Sequence, residues 1–346
     1  MTTNWNMKKT NWFLLVLMLT LTFGQTAFAN DNLPDKGIFD LWNYQEVIDV
    51  KLTFDLDEVF NDRRGEEDYP AEINFKDETG TKQDWQIKIS TRGNFRRQKC
   101  NETPPLKLNF KKGDLRAAGL ADFDDFKLVT HCIDDYQAAK ELLLKEYLTY
   151  RMFNQLTDIS YRVQLVNITY EDSQTGKRKK QMGFLIEDTA QLRARIGADK
   201  IEELRIVEQE KYELEYTRLV GMFQYLIGNT DWGITHSKNI KYVEKDQKVL
   251  PVPYDFDFAG LVDAPYLLMA SRFGQTSRFD RVYLGFEQQE NELGEAIEML
   301  QAHKEDMYRT VQNMKMLKRS SREEMIAYLD TYFENAEGIR FTENWY

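Results

Sequence analysis

The order of two hydrophobic periodicities along the chain constrains the fold most strongly. Between residues 45 and 131, short segments alternate apolar and polar residues, as in "VIDVKLTF" (47–54) and "DWQIKIST" (84–91). The segments "PPLKLNF" (104–110) and "FKLVTHC" (126–132) show the same period of two. This alternation is typical of half-buried β-strands. We therefore expect the first part of the chain to be rich in β-structure.

Helical spacing begins directly after these strands. The segment "DDYQAAKELLLKEYLTYRMFNQL" (134–156) predicts one long helix, with Asp134 or Asp135 as its N-cap. Two further alternating segments, 161–172 and 179–187, flank "SQTGKR" and predict a hairpin.

Beyond Glu187 the pattern changes again. It predicts an apolar helix over 216–228 that ends at a glycine, two short strands around "EKDQK", and mostly helix over 285–338. These patterns predict an α+β fold with a β-rich N-terminal lobe (30–187) and a mainly helical C-terminal lobe (188–346).

The N-terminal segment has the features of an export signal. "MKK" at 7–9 precedes the apolar run "WFLLVLMLTLTF", which is too short to span a bilayer comfortably. "AFA" at 27–29 supplies the small residues that signal peptidase requires. We predict cleavage before Asn30, no later membrane span, and a periplasmic or secreted mature protein.

Charge and cysteine content narrow the class of protein further. The formal net charge is −11, which disfavours binding to nucleic acid because an acidic chain repels a phosphate backbone.

Cys100 and Cys132 are the two cysteines of the chain. A pair of cysteines in an exported protein predicts a disulfide bond.

Two segments in the second half carry side chains suited to phosphoryl transfer. "IGNTDWGITHSKNI" (227–240) holds Asp231 and Asn239 on a loop, and "PVPYDFDFAG" (251–260) holds Asp255 and Asp257 at a strand end. Phosphoryl transfer requires a carboxylate that accepts a hydroxyl proton and oxygen ligands for Mg²⁺. The short strands between the two segments are expected to bring them together. Ordinary turns also contain Asn, Asp and Gly, so either segment alone is also explained by turn structure.

These residues resemble the atypical kinases of the HipA and spore-coat CotH type. In that group an Asn-x-Asp-x-His-x-Lys-Asn loop is followed by a Pro-x-Tyr-Asp turn. "STRGNFRRQK" (90–99), "PPLKLNF" and "MGFLIED" (182–188) are similar to further segments of the CotH group. The resemblance covers roughly 85–265 and implies a two-lobed protein-kinase-like fold that binds ATP with Mg²⁺ or Mn²⁺.

The resemblance assigns roles to individual residues. Asp231 matches the catalytic Asp and Asn239 a metal ligand, while either Asp255 or Asp257 matches the second metal ligand. Seven residues separate Asp231 from Asn239, whereas kinases usually have four at this point. His236, between them, is a candidate for orienting the loop.

Further candidates lie in the first half of the chain. Lys107 is the first candidate for a phosphate-binding lysine and Lys127 the second, with Glu141 or Glu146 as the paired acid. Arg92 is a candidate phosphate contact, and Glu187 would either lie near the nucleotide base or the lobe hinge, or cap a helix.

Two functions from different classes follow. The first is an exported kinase that transfers the γ-phosphoryl group of ATP to a hydroxyl of a protein or small molecule. The second is a catalytically inactive kinase-like protein or a carbohydrate- or surface-binding module. The aromatic content of 13% suits sugar stacking, and it also suits a hydrophobic core.

Overall fold

The computed structural model describes residue 1 and residues 36–341, apart from 63–64, 66, 94–95, 97–99, 101–102, 131, 202–207, 288 and 335–337. The predicted signal peptide beyond residue 1, and its cleavage site, lie outside the described residues. From residue 36 onward the described chain belongs to one compact unit.

Seven strands form a closed barrel, in the order β1-β2-β3-β4-β5-β7-β6. They are β1 (Val47–Phe54), β2 (Tyr69–Lys76), β3 (Lys82–Thr91), β4 (Leu106–Phe110), β5 (Asp125–Val129), β6 (Val163–Asp172) and β7 (Arg178–Ile186). Neighbouring strands are antiparallel, except that β1 pairs with β6 in parallel from Val47↔Leu165 to Phe54↔Asp172. This parallel pair closes the barrel.

The alternation seen in the sequence separates the inside of the barrel from the outside. Leu106, Leu108 and Phe110 of β4 are buried in the barrel core, while Lys107 between them is only half-buried. The short helix α1 (Ile38–Trp42) adds to this core. The Trp42 ring lies against three phenylalanine rings, with centroids 5.1–5.9 Å away: Phe75, Phe110 and Phe126.

The described part of the chain also contains further α-helices and a small second sheet. The helices are α2 (Leu56–Asn61), α3 (Lys112–Ala117), α4 (Tyr136–Leu156), α5 (Thr189–Ile196), α6 (Leu214–Leu226), α7 (Gly294–Ala302), α8 (Lys304–Asn313) and α9 (Arg319–Phe333). Strands β8 (Asp199–Lys200), β9 (Ile240–Lys245) and β10 (Lys248–Pro253) form a three-stranded sheet. Asp135 caps α4, since its side chain accepts the backbone N–H groups of Gln137 and Ala138.

The chain is α+β, but the predicted two-lobed kinase fold is wrong. The main sheet is a closed barrel, whose parallel β1–β6 pair joins segments that are distant in the sequence. A second hydrophobic core then joins the outer face of that barrel to the helices. It includes Val129 and Phe184 from the barrel together with Phe223 and Leu329 from α6 and α9.

Cys100 and Cys132 are joined by a disulfide, as the sequence predicts. The bond ties the segment after β3 to the segment between β5 and α4. None of the helices in the described part of the chain is long and apolar enough to cross a membrane.

Removing the disulfide is expected to destabilise the fold. The bond closes a loop with a sequence separation of 32. A loop of this length lowers the entropy of the unfolded chain enough to contribute about 3.5 kcal/mol. A Cys100→Ala/Cys132→Ala double variant should therefore lose about that much free energy of unfolding in a urea titration. Reductant should destabilise the wild type similarly and leave the double variant unchanged; equal stabilities of wild type and variant would contradict this.

Candidate functional site

The loop that follows α6 folds around the Asp231 carboxylate. Lys238 Nζ contacts Asp231 Oδ1, and Asn239 Nδ2 donates to Asp231 Oδ2 at 2.9 Å and to the Asp231 carbonyl at 2.7 Å. The Asp231 N–H in turn donates to Asn229 Oδ1 at 2.8 Å. The seven intervening residues therefore form a loop that closes on itself and holds Asp231 and Asn239 in direct contact.

Two backbone hydrogen bonds place this loop beside the Tyr254–Asp257 turn. Tyr254 N donates to the Asn239 carbonyl at 3.1 Å, directly after the last β9–β10 pair. At the other end of the loop, Gly260 N donates to the Gly228 carbonyl at 3.1 Å. The β9–β10 hairpin thus brings the two segments together, as the sequence predicts.

Two residues of the site have left-handed backbone conformations. The φ angles are +52° at Asn239 and +66° at Asp255. Residues other than glycine adopt this region rarely, and such positions are concentrated at functional sites. The Asp255 N–H donates to the buried Tyr150 hydroxyl of α4 at 2.7 Å, which helps to fix this conformation.

A buried arginine joins three carboxylates behind the turn. Arg96 Nε donates to Asp257 Oδ2 at 3.0 Å, and Arg96 Nη2 donates to Glu146 Oε2 at 2.6 Å. Arg96 Nη2 also lies 3.9 Å from Asp255 Oδ1. We call Arg96, Glu146, Asp255 and Asp257 the Arg96 cluster.

One oxygen of the Arg96 cluster is both buried and unsatisfied. Glu146 Oε1 has no hydrogen-bond partner among the described residues, although Glu146 is only 2% exposed. Ligand oxygens of Glu146, Asp255 and Asp257 all lie within 4.8 Å of one another. Three carboxylates that share one guanidinium form a site of net negative charge, which suits a hard divalent cation.

Burial perturbs the acids of this cluster strongly. It raises the pKa of Glu146 to about 8 and that of Asp257 to about 6, and the neighbouring carboxylates add to the effect while Arg96 opposes it. Burial acts to lower the pKa of Arg96, but the charges of Asp257 and Glu146 outweigh it and raise that pKa. Burial and mutual repulsion therefore favour a protonated carboxyl group in this cluster.

Two lysine side chains lie near the Tyr254 ring, one from barrel strand β5 and one from β9. Lys127 Nζ lies 5.4 Å from the centre of that ring, and Lys241 Nζ lies 6.0 Å from it. Burial lowers the pKa of Lys127 to about 8, and the Arg92 charge adds to this. Lys127 forms no ion pair with any described residue, which distinguishes it from Lys107. Lys107 Nζ lies 3.9 Å from Asp125 Oδ2 on the neighbouring strand β5.

Several predicted site residues have other partners. Glu146 pairs with Arg96 instead of a lysine, and the Glu141 carboxylate accepts the Lys318 N–H at 3.0 Å. Glu187 is buried between Arg162 and Arg195, with N···O distances of 2.7 and 3.0 Å.

Two further predictions concern the helix cap near "EDT" and the loop histidine His236. Asp188, and not Glu187, caps α5 by accepting the Ala190 N–H at 2.6 Å. His236 is exposed, and its Nδ1 lies 2.7 Å from the hydroxyl of its neighbour Thr235. It forms no hydrogen bond or ion pair with Asp231 or Asn239.

Sequence reasoning missed Arg96 and Tyr150. Arg96 lies in a basic stretch, "RGNFRRQK", where no periodic pattern separates a buried arginine from exposed ones. Tyr150 lies on the apolar face of α4, where a tyrosine is indistinguishable from an ordinary core residue.

Comparisons with known proteins do not identify a family. The sequence matches no protein-family model, and it matches no curated protein. The resemblance to the CotH and HipA kinases therefore stays a prediction.

The Arg96 cluster should make stability depend on pH. Between its ordinary pKa of 4.5 and the folded value of about 8, Glu146 keeps a proton that the unfolded chain has lost. The free energy of unfolding should therefore fall as pH rises through this window. Urea titrations at several pH values would measure the slope, which Glu146→Gln should flatten.

Glu141→Gln is the matched control for that measurement. Glu141 lies on the same helix and is also buried, but its carboxylate contacts Lys318 N outside the Arg96 cluster. Its replacement should keep the wild-type slope. An unchanged slope in Glu146→Gln would show that Glu146 does not hold the proton.

Proposed function

We propose that the protein is an exported phosphotransferase that moves the γ-phosphoryl group of ATP to an acceptor hydroxyl. The observation that carries the proposal is the joining of the Asp231–Asn239 loop to the Asp255 turn, through the hydrogen bond between Tyr254 N and the Asn239 carbonyl. This contact joins the segment that carries the half-exposed Asp231 carboxylate to the segment that carries Asp255 and Asp257. The proposal concerns the chemistry of the site and does not depend on a kinase fold.

Asp231 is the proposed general base. During transfer, the acceptor oxygen bonds to the γ-phosphorus, the bond from that phosphorus to the β,γ-bridging oxygen breaks, and ADP leaves. The hydroxyl proton passes to the Asp231 carboxylate. Lys238 and Asn239 contact the two oxygens of this carboxylate and fix its orientation.

The Arg96 cluster fits a divalent cation. Glu146 Oε1 is a buried acceptor without a partner among the described residues, and Asp255 and Asp257 supply carboxylate oxygens nearby. Arg96 engages Glu146 Oε2 and Asp257 Oδ2, so Glu146 Oε1 remains for the metal. A bound Mg²⁺ or Mn²⁺ would neutralise charge on the phosphate oxygens. Asn239, next to Tyr254, is the further candidate ligand.

Lys127 is the proposed phosphate contact. It lies beside Tyr254, the residue before Asp255, and it lacks an ion pair with the described residues. A phosphate group would favour its charged form, which burial disfavours. Arg92 contributes positive charge to the same region, whereas Lys107 lies next to Asp125.

A second candidate function rests on a different cavity. A cavity of about 580 Å³ is lined by several aromatic side chains, among them Tyr225, Phe279, Tyr328 and Tyr332, together with Asp280 and Arg340. Aromatic faces with nearby polar groups are suited to sugar rings, so this cavity favours a non-catalytic carbohydrate-binding protein. Oligosaccharide binding in the absence of nucleotide binding would support that alternative.

Asp231→Asn should separate catalysis from binding. The amide keeps the size of the side chain but cannot accept the proton, so transfer of label from γ-labelled ATP to casein or water should fall by at least about 100-fold. Equilibrium dialysis should still detect Mg–ATP binding.

Asp246→Asn provides the matched control. Asp246 is an exposed aspartate on the β9–β10 turn, and it lies outside the site. Its replacement should leave transfer unchanged. Normal turnover by Asp231→Asn would show that Asp231 is not the base.

A further inference from the structure

A second cavity adjoins the proposed base. Its volume is about 390 Å³, and Asp231 and Lys238 form part of its lining. Phe258, Leu267 and Leu268 supply an apolar wall. We call this cavity the acceptor groove. An acceptor hydroxyl that reaches Asp231 would place its neighbouring groups against this wall.

The outer part of the wall projects into solvent. Leu268 is 75% exposed and Met269 is 47% exposed, which is unusual for two consecutive large apolar side chains. Exposed apolar groups at the rim of a cavity mark surfaces that contact a ligand or partner. A small acceptor would be enclosed over most of its surface, whereas an exposed wall suits a ligand that extends beyond the cavity.

The segment that carries this wall is well anchored. The Ala270 N–H donates to Gln275 Oε1 at 2.6 Å, and Gln275 Nε2 donates to the Asp280 carbonyl at 2.8 Å. Gln275 is itself buried. The exposure of Leu268 and Met269 is therefore built into an ordered turn.

A positive charge also lines the groove. Arg272 lines the cavity, and its guanidinium stacks on the Phe273 ring at 4.4 Å. Within the part of the chain that the structure describes, Arg272 forms no ion pair. A ligand carboxylate would provide the complementary charge.

We propose that the acceptor groove binds a polypeptide whose acceptor Ser or Thr lies beside a large apolar residue, with an acidic residue close by. The apolar side chain packs on Leu268 and Met269, and the acid pairs with Arg272. This inference rests on the proposed function, because it places the hydroxyl at Asp231. It adds the class of acceptor and the residues that select it.

Fluorescent peptides would test the groove independently of catalysis. Each reference peptide has a central Ser with Leu on one side and Glu on the other. The comparison peptides replace either Leu with Ala or Glu with Lys. Fluorescence anisotropy should show roughly tenfold tighter binding when Leu is present, as expected for one buried large apolar side chain. Equal affinity for the Leu and Ala peptides would overturn the proposal.

Two variants of groove residues, with one control variant, test whether the peptide preferences arise in the groove. Met269→Asp should abolish the preference for Leu, whereas Met299→Asp, a matched exposed methionine on α7, should retain it. Arg272→Glu should reverse the charge preference from the Glu peptide to the Lys peptide. Retention of both preferences in Met269→Asp and Arg272→Glu would show that the peptides bind elsewhere.

The outcomes also separate this inference from the proposed function. Selective peptide binding without phosphoryl transfer would contradict the phosphotransferase and leave the groove as a peptide site. Transfer to all peptides at equal rates would contradict only the groove. If no peptide binds and the protein sediments with phosphatidylcholine–phosphatidylserine vesicles in a Met269-dependent manner, the surface is a membrane contact and the peptide proposal is wrong.

Discussion

The arrangement of the site depends on one guanidinium group. Arg96 follows barrel strand β3, yet it hydrogen-bonds to Glu146 of α4 and to Asp257 after β10. Arg96 and these two partners come from three separate parts of the sequence, and all three are buried. Loss of the guanidinium would leave buried carboxylates without a countercharge, which typically costs 3–5 kcal/mol. The position of the Asp255 turn relative to the barrel is therefore tied to this interaction, with Tyr150 adding a second connection through Asp255 N.

The same interaction leaves the site short of positive charge. One arginine faces three carboxylates, and Glu146 Oε1 lacks a partner among the described residues. A protein interior tolerates such a deficit by retaining a proton or by binding a cation. The raised pKa values of Glu146 and Asp257 describe the first case, and the proposed metal site describes the second. Both states can serve one function, because a metal ion that arrives with a nucleotide would displace the proton.

Local patterns in the sequence predicted local structure well, and long-range pairing poorly. The alternation in "VIDVKLTF" predicted β1 with the bounds observed, and the helical spacing predicted α4 to within two residues. The hairpin that brings Asn239 beside Tyr254 was predictable, since two short strands around a turn have few ways to pair. The parallel pairing of β1 with β6 was not, because no local pattern specifies which distant edge a strand will join. Arg96 was missed for a related reason: its buried partners lie far away in sequence, and its neighbours are also basic.

The binding of ATP to the purified protein, measured with and without Mg²⁺ by isothermal titration calorimetry, tests the proposed chemistry most directly. The proposed site predicts saturable binding that requires the metal and weakens at least about tenfold in Asp255→Asn, which lacks one anionic oxygen ligand. Binding should release protons near neutral pH, because the cation replaces the proton held by the Arg96 cluster. Absence of nucleotide binding with Mg²⁺ or Mn²⁺, or binding that is unchanged by EDTA and by Asp255→Asn, would contradict the phosphotransferase site.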